Sequence, residues 1–213
     1  MNSESHLKIL KPFGPALASV NIPTSLINKI NSFVDSEIID NKEKSSELNA
    51  GPDLVGQVTQ EIKLPKKIID DGLYEFLFKS TQAYIKLAIN KNVTKFELLT
   101  AWVVRQFQNE YNPIHFHSGH ISGAGYLMVP ENLGETIQKE KVNTHGSINF
   151  HHGSKQFMSA GYLSKKPKVG DFYIFPHYLY HSVNPFYGEG ERRSLSFNAK
   201  IDEEIYQVYG FES

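Results

Sequence analysis

The stretch Asn112-Pro113-Ile114-His115-Phe116-His117 constrains this chain more than any other. Two histidines at i and i+2 on an extended segment point to one face, about 6.5–7 Å apart at Cα, so two imidazoles can share one metal ion. A third histidine, His181, stands 64 residues further on, and eleven residues later comes Arg192-Arg193-Ser194. Three imidazoles followed by an Arg-x-Ser read as a mononuclear metal centre with an anion clamp beside it.

The rest of the composition narrows the chemistry. The 213 residues contain no cysteine, which removes disulfides, thiolate metal sites, iron–sulfur ligation and a cysteine nucleophile. Any metal must therefore sit on nitrogen and oxygen. With 22 basic and 23 acidic residues the net charge is −1, so there is no general field to gather nucleic acid, which is an unlikely but not excluded partner. The amino terminus lacks the basic and apolar regions of a signal peptide, and no window approaches 18 consecutive apolar residues. The expectation is a soluble, cytoplasmic protein without a membrane partner. A hydrophobic content of 40% suffices for one core, and a single domain is expected over 1–213.

Hydrophobic spacing divides the chain. Leu26, Ile27, Ile30, Phe33, Val34 and Ile38 follow a 3.6-residue period, as do Leu73, Phe76, Leu77, Tyr84, Ile85 and Ala88, which predicts two core-facing helices. Leu7–Leu10 reads as a short edge strand, so residues 1–94 form supporting helices and an edge strand. From about Lys95, eight aromatic and β-branched segments separated by Gly, Pro and Asn predict strands: 96–108, 122–129, 147–151, 157–163, 171–175, 180–183, 194–201 and 205–209. The fold class is α+β, a double-stranded β-helix (jelly roll, cupin-like) over 95–213 with amino-terminal helices packed on one face. The mouth of such a barrel suits a buried metal.

The segments Tyr111–His117, Ser122–Leu127, Pro167–Pro176 and Arg192–Asn198, taken in this order, resemble the Fe(II)/2-oxoglutarate-dependent oxygenases. More narrowly they are similar to a bacterial and phage group of that superfamily, prolyl-hydroxylase-like, and the resemblance covers roughly residues 96–200. It implies His115, His117 and His181 as metal ligands and catalytic centre, with Fe(II) as cofactor, 2-oxoglutarate as co-substrate and ascorbate in support. It also implies reaction with O2. His117 stands where most of the superfamily has a carboxylate, giving a neutral triad that admits Zn²⁺ as a competitor. His177 is the rival to His181, and spacing to Arg192 favours His181.

Alternation puts Arg192, Ser194, Ser196 and Asn198 on one strand face and Arg193, Leu195 and Phe197 on the other. Arg192 and Ser194 suit the distal carboxylate of 2-oxoglutarate, and the Tyr126 phenol can reach the same group. A surface ion pair of Arg192 with Glu191 or Glu189 is the plain alternative, as is simple packing for Tyr126. Arg193, on the other face, is the control residue, whose replacement by Ala is expected to do little to 2-oxoglutarate binding. The polar stretch Pro130–Gly146 reads as a lid or substrate loop near the mouth, or as an ordinary mobile loop. Three functions remain open: hydroxylation of a peptidyl residue such as proline, with 2-oxoglutarate decarboxylated to succinate; the same chemistry on a small molecule or nucleobase; and a His₃ cupin-like metal protein without 2-oxoglutarate turnover.

Overall fold

The computed structural model describes residues 14–207, so the strand expected at Leu7–Leu10 lies outside the described residues. In chain order the elements are β1 (Ala18–Asn21), α1 (Thr24–Glu37), α2 (Lys42–Glu47), β2 (Gln60–Lys63), α3 (Lys66–Ile68), α4 (Tyr74–Ile89), β3 (Phe96–Gln106), β4 (Asn112–His115) and β5 (Ile121–Met128). They continue with β6 (Ile148–His151), β7 (Tyr162–Lys165), β8 (Asp171–Pro176), β9 (Tyr180–Val183), β10 (Arg192–Ile201) and α5 (Glu203–Tyr206). Two antiparallel sheets form the jelly roll. The larger has the order β1-β8-β5-β10-β3-β2 and the smaller the order β4-β9-β6-β7.

The helices cover the outer face of the larger sheet. Leu26, Ile27, Ile30, Phe33 and Val34 of α1 and Leu77, Tyr84 and Ile85 of α4 join one core with Val103, Leu127, Phe172, Leu195, Phe197 and Ala199. Period-two alternation sends Tyr126, Tyr173 and Phe175 the other way, into a second core with Ile148, Phe150 and Leu179 between the sheets. Gly123 and Gly125 sit on the outer face of β5 because a Cβ at either would drive into Phe172.

Several expectations are corrected. Ile205–Tyr209 was read as a strand, whereas Ile205 and Tyr206 lie in α5, which follows Asp202 and opens with Glu203 and Glu204, acids that favour a helix start. The strand expected from Phe157 begins only at Tyr162; Phe157 and Met158 are exposed in a turn closed between Gln156 and Ser159, with Met158 at φ 63°. Short strands β1, β2 and β4 escaped the periodicity search, and β1 and β2 bring segments before residue 95 into the larger sheet.

Arg193 is 1% exposed, donates to Glu191, Asp35 and Asn31, and so ties β10 to α1. Burial alone would raise the Glu191 carboxyl, but hydrogen bonds from Arg105 and Arg193 outweigh it and hold the group below its ordinary value. Arg193→Ala is expected to lower the unfolding free energy by about 3 kcal/mol, since it leaves a half-buried carboxylate short of a partner. Urea denaturation measures this, and a change within about 0.5 kcal/mol, typical of a surface substitution, would contradict it.

Candidate active site

The pairing of β4 with β9 sets His115 directly opposite His181. His117 follows two residues after the end of β4, where its backbone N–H donates to His177 O at 2.9 Å. The ligand atoms of His115, His117 and His181 lie within 4.8 Å of one another. His177 stands outside this group: its Nδ1 faces His117 O at 3.0 Å and its Nε2 faces the Tyr206 hydroxyl at 3.0 Å. It shapes the loop that carries His117.

Backbone carbonyls orient two of the rings. His115 Nδ1 meets Pro113 O at 2.7 Å and His181 Nδ1 meets Leu179 O at 2.9 Å, which places the proton on Nδ1 and the lone pair on Nε2. His117 Nε2 and His181 Nε2 are 3.0 Å apart. Two nitrogens bound at right angles to one metal, with bonds of about 2.1 Å, stand about 3.0 Å apart, whereas tetrahedral angles give about 3.4 Å. The donor set therefore fits one divalent ion, with His117 and His181 at adjacent positions. Burial is the main cause that lowers all three imidazoles; neighbouring histidines add to it, taking His117 to about 2 and His181 to about 3. All three are neutral ligands at neutral pH.

The triad opens into a cavity of about 250 Å³ that Tyr126, Arg192, Ser194, Ser196 and Asn198 also line. Register aligns Ser194 of β10 with Tyr126 of β5, and the Arg192 guanidinium carbon lies 4.8 Å from the Tyr126 ring centre. Arg192 is 2% exposed, so the surface ion pair is ruled out; its Nη1 donates to Gln106 Oε1, while Arg193 takes Glu191. Arg192 Nε and the Tyr126 hydroxyl are buried with no hydrogen-bond partner among the described residues; the hydroxyl lies near Arg192 and the Ile148 backbone without bonding geometry. Two orphaned donors beside a serine hydroxyl form an unfilled anion cradle, because buried polar groups are rarely left unanswered. This fits a carboxylate co-substrate.

Other lining residues were not singled out from sequence. Gln106 positions Arg192 and is itself held by donating to Glu110 O; the polar alternation at the end of β3 was the available signal. Trp102 packs at 5.6 Å from the His117 ring. Glu61 of β2 also faces the cavity. No residue of Pro130–Gly146 lines the cavity itself: the segment packs on the residues before β10, where Tyr187 N–H donates to Leu133 O and Gly146 N–H to Pro185 O, and Gly146 lies beside Arg192. The lining on that side comes from Asp53, Leu54, Val55, Phe116 and Ser118. No helix among the described residues is long and apolar enough to cross a membrane.

Residues 100–198 match the family described as "Putative 2OG-Fe(II) oxygenase". No curated protein matches the chain. Among solved structures, the viral collagen prolyl hydroxylase vCPH from Paramecium Bursaria Chlorella virus-1, in its 2OG complex, is similar at 14% identity and TM-score 0.54, over 86% of this chain and 94% of that one. HygX from Streptomyces hygroscopicus, with nickel and 2-oxoglutarate bound, is similar at 10% identity and TM-score 0.54, over 87% and 82%. A prolyl hydroxylase from Trichoplax adhaerens, in complex with a hypoxia inducible factor oxygen degradation domain peptide fragment, is similar at 12% identity and TM-score 0.52, over 89% and 85%. At these identities the likeness is one of fold. The matched segment, a little under half of the chain, contains all three histidines, Tyr126, Arg192 and Ser194, and the jelly roll around it is the fold of these similar structures.

Proposed function

We propose that this oxygenase hydroxylates a peptidyl residue in the manner of a prolyl hydroxylase, consuming O2 and 2-oxoglutarate and releasing succinate and CO2. The observation that carries the oxygenase part is the meeting, in one cavity, of three neutral imidazoles with the unanswered donors of Arg192 and Tyr126. The peptidyl part is supported by a cavity lined on one side by Leu54, Val55 and Phe116, apolar side chains suited to a chain laid across them, and by the fold shared with two prolyl hydroxylases.

His115, His117 and His181 would hold Fe(II), which when bound supplies the activation of O2 and the oxidation of a C–H bond. Arg192 Nε, the Tyr126 hydroxyl and the Ser194 hydroxyl donate to the distal carboxylate of 2-oxoglutarate. Gln106 fixes the guanidinium so that its remaining N–H groups face the cavity. Phe150 and Phe175, at 6.1 and 4.9 Å from the His181 ring, keep water from the triad on its inner side. A second reading has one observation in its favour: with His117 in the carboxylate position the triad carries no charge, which equally suits a zinc or cupin-like site without 2-oxoglutarate turnover.

Replacing His115, His117 or His181 with Ala is expected to abolish binding of one divalent ion, and His177→Ala to leave it intact, as read by calorimetry. Because burial lowers these imidazoles, affinity for the ion should stay level as pH falls through 6.5, the ordinary imidazole value, and decline only below it. A midpoint at 6.5 would mean that the free triad is solvated. The apo fold has the matching sign. Its stability is lost as pH falls below the unfolded value, since the unfolded chain takes up protons that the folded one refuses.

Arg192→Ala should weaken 2-oxoglutarate binding about tenfold to a hundredfold with the metal retained, since a buried charged hydrogen bond loses its donor. Unchanged co-substrate affinity would remove the clamp. With iron, ascorbate and 2-oxoglutarate, peptides should gain the mass of one oxygen atom as succinate accumulates. Oxygen appearing on DNA, RNA or a small molecule and on no peptide would overturn the peptidyl assignment, and no succinate at all would favour the second reading.

A further inference from the structure

Glu61 is 4% exposed, lines the same cavity as the triad and the clamp, and has no hydrogen bond or ion pair to its carboxylate among the described residues. Register explains its direction. Glu61 pairs with Val104 of β3, Val104 with Ser194 of β10, and Ser194 with Tyr126 of β5, so the four side chains leave the larger sheet on one face, in one row. Glu61 stands two strands from Ser194, about 10 Å away, on the side where Asp53, Leu54, Val55, Asn112 and Phe116 close the cavity. A Cβ on Gly56 would come within 2.8 Å of its Oε1 and 3.0 Å of Asn112 Nδ2, so a glycine leaves room for the carboxylate.

The basic side chains near β2 are engaged elsewhere. Lys63 Nζ pairs with Asp53 at 2.9 Å, and Arg105, on the opposite face of β3, is held by Glu191 and Gln60. Burial, with no compensating partner, raises the Glu61 carboxyl to about 7. A largely buried carboxylate left unpaired in the wall of a cavity gains most from a ligand that brings a positive charge with N–H donors.

We infer that Glu61 is the substrate-recognition residue of this oxygenase and that the substrate presents to it a protonated amine or guanidine. This rests on the assignment of the cavity as the oxygenase site, since Arg192 and its neighbours take the anionic co-substrate and leave the Glu61 side for the group to be oxidised. In the peptidyl reading the substrate is a peptide with a Lys or Arg side chain within reach of the oxidised carbon.

Trp102 is the chain's one tryptophan and lines this cavity, so its fluorescence reports occupancy. The protein, loaded with zinc and 2-oxoglutarate to prevent turnover, is titrated at pH 8 with butylamine and butanol. It is also titrated with the end-blocked peptides Ala-Pro-Lys-Ala and Ala-Pro-norleucine-Ala. The ammonium member of a pair should bind about tenfold or more tightly than its neutral match. Glu61→Gln should abolish that preference while metal and 2-oxoglutarate affinities stay unchanged and the melting temperature does not fall. Equal binding of amine and neutral match in the wild type, or a preference that survives Glu61→Gln, would overturn the inference. A preference for butylamine with neither peptide binding would uphold Glu61 and sink the peptidyl reading. Loss of 2-oxoglutarate binding in the wild type would sink the oxygenase assignment instead.

Discussion

Alternation along β10, placed in the middle of the larger sheet, is the constraint on which the rest of the structure depends. Because successive side chains leave a strand on opposite faces, one ten-residue segment supplies both the apolar floor for the helices, through Leu195, Phe197 and Ala199, and the polar wall of the cavity, through Arg192, Ser194, Ser196 and Asn198. A slip of one residue would exchange the two sets. Arg193 resists such a slip on the outer face by its bonds to Asp35 and Asn31 of α1, and Arg192 on the inner face by its bond to Gln106. Adjacent arginines thus do opposite work: one anchors a helix, the other faces the cavity.

The smaller sheet contributes a different chemistry. Its strands β4 and β9 offer imidazoles whose Nδ1 positions are occupied by carbonyls two residues away, a local arrangement that fixes each ring without help from distant side chains. The proposed metal ligands and the proposed anion donors therefore come from separate sheets, and the packing of the sheets through Tyr126, Tyr173, Phe150 and Phe175 sets their relation. A loss in that apolar layer would shift the triad against the clamp even though no ligand is changed.

Much of this was legible in the sequence because it depends on local rules. The i, i+2 spacing of His115 and His117, the period-two polar face of β10 and the 3.6-residue spacing of Leu26 to Val34 each follow from backbone geometry alone. What was not legible depends on pairing between distant segments. Gln60–Lys63 is a four-residue strand without an alternating apolar signal, because Ile62 is buried on one face and Glu61 on the other; only its register with Val104 shows where the carboxylate points. The bonds of Arg193 were not legible for the same reason, since alternation tells which face a residue takes but not that α1 carries Asp35 and Asn31 above it. The 130–146 segment ends against Arg192, where a Cβ on Gly146 would lie 3.7 Å from Arg192 Cδ, yet none of its residues lines the cavity, which sequence order alone could not show.

The same topology keeps two opposite charges apart inside one cavity. Glu61 and Arg192 form no ion pair among the described residues; they lie on strands separated by β3 and at different levels, at least about 10 Å apart along the sheet. Gln106 holds the guanidinium from the β3 side, and the glycine at position 56 gives the carboxylate its space on the β2 side. With β3 between them, the cavity keeps an arginine on its β10 side and an unpaired carboxylate on its β2 side, which suits the proposed seating of a dicarboxylate and a cationic substrate side by side.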